Sequence, residues 1–475
     1  MKSNINVAFL AAGVILLGMF QPLFAGLILG VWGVSLILHR WPLEMSGFSW
    51  YLLSVQAAFW GPYLALPGWE PLFLFRLMMP LHLIYFLCHQ KHMQLIHQGK
   101  IPLIGLGIWV GTSVLSLSWS DFPHTTLLAL YYEFEISYFI CFSIYYLNTL
   151  DRVRRFAHYL GLNYFIILSY SLIFEYILGQ HLRFSKAYAS SYDMRPTGML
   201  VNTNDFAVFL VLYYVIWLIP QLTRIGRGKN QRLLSLKVTS IWLTLFFLII
   251  QTSSRSGFVA LVLVTLVLMG HIVSLKMRLI TLLLASCVAI LQLVRGHLSM
   301  ISLLLLKLQN TFMGKMNSTH ERMRIYRYAF FAILEKPYGY GAGSSLRHVY
   351  YLLKGYMNLP EFNQQSMGMH NFVLAVFFET GVLGVLGISL LLAYYTYQAI
   401  KLMQSTTDYL ASVPCLILIC FFSASVGSSS ILEMRTLWIA FSLGLALLMN
   451  QQTIKSEISH EKNVNAVLFS DAKSD

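Results

Sequence analysis

The sequence predicts an all-α fold, a polytopic membrane bundle of 12–14 transmembrane helices with a large extracytoplasmic loop that contains amphipathic helices. Three observations predict it. Of the 475 residues, 57% are hydrophobic and 11% are charged, against about 25% charged in an ordinary soluble domain. Mean hydropathy is accordingly high, at +0.65. Apolar runs long enough to cross a bilayer, about 20 residues each, recur along the whole chain. These runs are continuously apolar and do not alternate over about 10 residues, as barrel strands do, so their backbone groups are satisfied within helices.

The candidate spans are 7–20, 23–38, 48–66, 71–89, 101–119, 124–147, 157–178, 203–220, 237–252, 255–272, 278–294, 371–397, 409–427 and 430–449. The first two are short enough to form one tight hairpin, which sets the lower bound. Met1 to Phe20 has Lys2 ahead of an apolar stretch, like a signal peptide, but no small-residue cleavage site follows and many more spans do. It reads as an uncleaved first span. The chain divides into an N-terminal transmembrane bundle (1–294), a large extracytoplasmic loop (295–370), C-terminal transmembrane helices (371–450) and a cytoplasmic tail (451–475).

Positive charge orients the set, because cytoplasmic loops carry excess Lys and Arg. With the N-terminus inside, Lys91, Lys100, Arg152, Arg154, Arg155, Arg224, Arg227, Lys229, Arg232, Lys237, Lys276 and Arg278 fall inside. Much of the +14 net charge is therefore topology, and no nucleic-acid partner is needed to explain it. Three outer segments break the rule. They are 179–201 with Arg183, Lys186 and Arg195, the turn 251–257 with Arg255, and 295–370 with Arg322, Arg324, Arg327, Lys336, Arg347 and Lys354. A basic outer surface suits an anionic ligand on that side. The five cysteines include no C-x-x-C pair, so neither a disulfide framework nor a cysteine metal site is indicated.

The outer loop has its own readable structure. Ser318 and Glu321 stand at capping-box spacing, Met323, Tyr326, Phe330 and Ile333 follow at helical spacing, and Pro337 stops the run. This is an amphipathic helix lying on the bundle or at the interface, with arginines on its polar side. Gly339, Gly341 and Gly343 then form a flexible turn where backbone can approach a ligand closely. No strand precedes them, so a dinucleotide fingerprint is rejected.

Four stretches stand together on one side of this topology: RPTGMLVNTNDFA (195–207), SSRSG (253–257), ERMRIYRYAFFAILEKPYGYGAG (321–343) and MHNFVLAVFFETGVLG (369–384). In order and placement they resemble the O-antigen ligase and O-antigen polymerase superfamily of bacterial membrane proteins. The chain departs from that pattern at Thr203, where proline is usual. The resemblance covers roughly Arg195 to Leu383. It implies a metal-independent glycosyl transfer in the bacterial cytoplasmic (inner) membrane, with no cofactor and with the active site facing the extracytoplasmic side. The donor is a glycan on undecaprenyl pyrophosphate, and the acceptor is another glycan (polymerase) or a lipid-core sugar (ligase). Membrane lipids surround the enzyme, and chain-length regulator or flippase proteins are its protein partners. Carried over residue by residue, the donor-binding arginines are Arg195, Arg255 and Arg322, and the acceptor-activating histidine is His370. Asn371, Arg327 and Glu379 are supporting candidates.

The residue chemistry points the same way. A departing pyrophosphate gains charge, and arginine binds phosphate oxygens in a bidentate manner. A histidine with a free pKa of about 6.5 takes the proton of an attacking hydroxyl. No D-x-D carboxylate pair occurs in the outer loops, so no metal ligand set is expected. Glu379 lies roughly 13 Å deeper than His370 along the helix, which predicts a structural role with a partner in the bundle, such as an arginine. Glu433 and Arg435 are expected to compensate each other locally. Bland alternatives stand beside these roles: His370 as a polar residue at a helix mouth, Arg255 as a span boundary, and Arg195, Arg322, Arg324 and Arg327 as solvated charge. A transporter or flippase for lipid-linked sugars is the rival of another class. It predicts a charged path at mid-membrane, to which Arg76, Glu133, Glu135 and Glu175 would contribute.

Overall fold

The computed structural model describes residues 46–66, 68–89, 100–185, 195–223, 231–271, 318–357, 368–405, 408–427, 431–454 and 456–457. The expected spans 7–20, 23–38 and 278–294, together with most of the tail, lie outside these residues. Every other expected span coincides with a helix, and there is no strand among the described residues. The helices are α1 (Ser46–Trp60), α2 (Leu74–His89), α3 (Lys100–Leu115), α4 (Pro123–Tyr146), α5 (Leu150–Tyr170), α6 (Thr203–Leu222), α7 (Gln231–Thr252) and α8 (Arg255–His271). After them come α9 (Ser318–Glu335), α10 (Ser345–Met357), α11 (Phe372–Ser405), α12 (Tyr409–Gly427) and α13 (Arg435–Met449). Seven are long and apolar enough to cross a membrane, and 236–252, 255–268 and 435–449 are shorter apolar helices. The protein is an all-α polytopic membrane protein.

Helix α6 forms the centre. Every residue from Asp205 to Pro220 is buried, packed among α5, α7, α8, α12 and α13. Helices α3 and α11 pack closely along much of their length. A Cβ on Gly105 would stand 2.7 Å from the Gly387 carbonyl oxygen, and one on Gly387 would stand 2.6 Å from the Trp109 nitrogen. Small residues of this kind let membrane helices approach backbone to backbone. The outer surfaces are apolar. Leu77, Leu81 and Ile84 of α2, Ile101, Ile104 and Ile108 of α3, and Leu383, Leu386 and Leu390 of α11 form exposed stripes at helical spacing. Such stripes suit lipid as the surrounding medium.

The helix at 318–335 is present, but its buried side differs from the expected one. Ile325, Ala329, Ala332 and Ile333 pack inward with Val349, Met369 and Phe378, whereas Met323 and Phe330 are exposed. The alanines explain the difference, because they let α9 lie close on α11 and turn the bulkier side chains outward. Arg324 and Arg327 are also exposed.

Candidate active site

The C-terminal ends of α3, α7 and α12 and the N-terminal ends of α4, α6, α8, α11 and α13 gather at one end of the bundle, with α9 and α10 over them. Close approaches fix this arrangement. A Cβ on Gly257 of α8 would meet the Ala207 Cβ of α6 at 2.3 Å, and one on Gly427 of α12 would meet Ser256 Oγ at 2.2 Å. Arg255, the first residue of α8, therefore stands beside the end of α12. Its turn is buried from Gln251 to Ser254, Ser253 adopts φ +52°, and Ser254 Oγ accepts from the Gly257 N–H at 3.3 Å. Arg322 reaches the same place from α9, where its Nη1 donates to the Val426 carbonyl at 2.9 Å.

One turn further along α9, the Tyr326 hydroxyl donates to the His370 carbonyl at 2.9 Å. Burial raises the Tyr326 pKa, and the Arg322 charge partly opposes that. His370 itself adopts φ +54°, a left-handed conformation uncommon for a residue with a side chain. Asn371 caps α11: its Oδ1 accepts from the Leu374 N–H at 3.1 Å. Arg322 and the start of α8 that carries Arg255 thus both lie at the end of α12, and Tyr326, one turn on from Arg322, ties α9 to the His370 backbone. Arg195 stands at the same end of the bundle on the loop that enters α6. Buried Glu175 clamps this loop, accepting from the backbone N–H of Thr197 at 3.1 Å and of Gly198 at 2.8 Å. Arg327 is not drawn in; its guanidinium lies 5.9 Å from the Phe331 ring on the exposed side of α9.

Thr203 departs from the usual proline at little structural cost. It is the first residue of α6, and Asn202 Oδ1 accepts from the Asn204 and Asp205 N–H groups at 3.0 Å each. The first helical position is where a missing N–H does no harm, so proline and threonine serve alike there.

The glycine turn packs closely on the helices around it, and Gly343 lines the cavity described below. Helix α11 breaks at Gly381 (φ 66°, ψ −160°), and the turn at 337–341 pairs with the broken backbone. The Tyr340 N–H donates to the Phe378 carbonyl at 3.0 Å, that of Gly341 to Glu379 at 2.8 Å, and that of Val382 to Pro337 at 3.0 Å. Gly339 makes room for this helix backbone, Gly341 for Ser120, and Gly343 for Thr125 and Ala129 of α4. Glu379 has a different partner from the expected arginine. Ser345 Oγ donates to it, and the Gly343 and Ser345 N–H groups at the start of α10 bond to it as well. A carboxylate is well placed at such a helix N-terminus. Despite their separation along the chain, Glu379 and His370 line one cavity, together with Asn371, Ser345, Glu133 and Glu433.

The direct ion pair of Arg435 is with Glu135, while its charge also acts on Glu433 as expected. Arg435 Nε lies 2.7 Å from Glu135 Oε2, and Arg76 Nε lies 3.2 Å from Oε1. These three charges hold one another, and Glu175 holds the 195–198 loop. Arg76, Glu135 and Glu175, three of the four charged residues that a transporter path would use, thus have partners within the bundle. Sequence reasoning missed Tyr326 and Ser345, which have no motif of their own. It noted Glu133 only as an acid within a span, a position that is a functional signal by default.

Residues 239–389 match the family model described as O-antigen ligase. The match supports the O-antigen ligase and polymerase superfamily. The matched segment takes in Arg255, Arg322, His370 and Glu379, with Arg195 ahead of it. No curated protein matches the chain.

Proposed function

We propose that the chain is a membrane glycosyltransferase that polymerises undecaprenyl-pyrophosphate-linked oligosaccharide repeats on the extracytoplasmic face of a bacterial inner membrane. The product is a surface polysaccharide such as O-antigen, capsule or exopolysaccharide. The acceptor hydroxyl attacks the anomeric carbon of the donor sugar. A glycosidic C–O bond forms, and the bond from that carbon to the pyrophosphate oxygen breaks. His370 takes the hydroxyl proton. Arg255, Arg322 and Arg195 meet the charge that grows on the departing lipid pyrophosphate, the kind of preorganised stabilisation that usually dominates such steps. No divalent ion takes part.

The approach of Arg322 and Tyr326 from α9 to the end of α12 and to His370 is the observation that carries this reading. Left-handed backbone at a functional side chain fits it, since strain of this kind clusters at active sites. The purified protein, given a defined lipid-pyrophosphate oligosaccharide alone, is expected to build a ladder of longer lipid-linked chains, with or without EDTA. Ligation to a lipid core is the second reading, favoured by the description of the matching family model. It predicts no ladder until lipid core is added. Failure to form product with either acceptor would sink both.

A further inference from the structure

Glu133 sits within α4, is 2% exposed, and belongs to the floor of the cavity that His370 and Glu379 also line. Ser113 Oγ donates to its Oε1 at 2.8 Å. Oε2 is buried and has no hydrogen-bond partner among the described residues. Buried polar atoms are nearly always partnered in native folds, and an exception calls for an explanation. Glu379 lines the same cavity but makes no hydrogen bond to this oxygen. A hydroxyl would fill the gap in either charge state, since it donates to a carboxylate and accepts from a carboxylic acid. Around the floor the walls are apolar and aromatic, with Trp109 and Tyr132 on them. Apolar and aromatic walls with a few convergent polar groups make a pocket for a small organic ligand.

We propose that Glu133 binds a hydroxyl of the sugar ring that reacts beside His370, making the α4 side of the cavity a sugar-recognition subsite. The inference rests on the glycosyl-transfer reading above. The hydroxyl belongs either to the donor sugar or to the acceptor sugar, and these are told apart by experiment. Glu133→Gln keeps the size and the Ser113 contact but presents an amide in place of the carboxylate. The full-length protein is assayed with a labelled lipid-pyrophosphate donor and a separate acceptor oligosaccharide, so that each KM is read on its own. One KM is expected to rise about 3- to 10-fold, the usual worth of one hydrogen bond, with a smaller change in kcat. A rise in donor KM assigns the donor sugar, and a rise in acceptor KM assigns the acceptor sugar. Both KM values unchanged, with His370→Asn inactive, would make Glu133 a structural acid and end the proposal. Activity in His370→Asn would instead defeat the parent reading. If Glu133→Gln does not fold, Ser113→Ala, which releases Oε1, is expected to raise the same KM, and an unchanged KM there overturns the subsite.

Discussion

Replacing Gly339 with alanine tests whether the glycine turn holds the broken helix α11 in place. A Cβ there would stand 2.4 Å from the Glu379 carbonyl oxygen, 2.6 Å from its carbon and 2.7 Å from the Gly381 nitrogen. All three are backbone atoms, so no side-chain rotation relieves the clash. The position also holds φ +86°, a region that costs a residue with a side chain about 1–3 kcal/mol. Pushing the turn away breaks the hydrogen bonds from Tyr340, Gly341 and Val382, at about 0.5–1.5 kcal/mol each. Together the loss is roughly 3–7 kcal/mol. Thermal unfolding in detergent measures it. Trp119 gives a local fluorescence signal, because its indole N–H donates to the Gly339 carbonyl at 3.1 Å. Glycan transfer should fall in parallel as Glu379 and His370 lose their support. Gly107→Ala is the control, since nothing lies within 4 Å of its added Cβ and alanine within a helix is favoured by about 0.5–1 kcal/mol. Gly339→Ala behaving like Gly107→Ala would refute the reasoning.

Three further outcomes are expected. His370→Asn, which tolerates the left-handed backbone, should abolish glycan extension while leaving the melting temperature unchanged, and retained extension would remove the histidine from the chemistry. Glu135→Gln should destabilise by about 3–5 kcal/mol, since it leaves Arg76 and Arg435 without their shared carboxylate; a melting temperature within a degree or two of the parent would show that the arginines find other partners. Burial lowers the His348 pKa, with Asp121 at 3.5 Å pulling it up and Lys336 pushing it down. The folded state therefore resists protonation, and below about pH 6.5 the unfolded chain binds the proton first, so stability falls as pH drops and is regained above that pH. His348→Phe should flatten this acid-side slope in melting experiments, and an unchanged slope would place the effect elsewhere.

The helices were legible because length and apolarity are local properties, and 203–220, 255–272 and 409–427 were found nearly to the residue. Motif order in the sequence singled out the arginines and His370, and the family match takes in three of these four positions. The contacts of Arg322 with the Val426 carbonyl and of Tyr326 with the His370 carbonyl arise from packing of α9 and could not be read from the sequence. The partners of charged residues were not legible. Glu379 meets Ser345, 34 positions away, and Arg435 meets Glu135, 300 positions away, through contacts that only the packed bundle creates. The break in α11 was hidden for the same reason: Gly381 reads as one more small residue in an apolar run until the 337–341 turn is seen to pair with it. The buried side of α9 was misjudged because alanines, weak signals in a hydrophobic pattern, form the contact.

The break at Gly381 bears on how related enzymes could be recombined. A chimera cut before Phe372 would separate Glu379 from the serine that holds it and strand the turn without its backbone acceptors. The transplantable module runs from Ser318 through Val382, and its seam belongs inside the membrane helix and not at the water's edge.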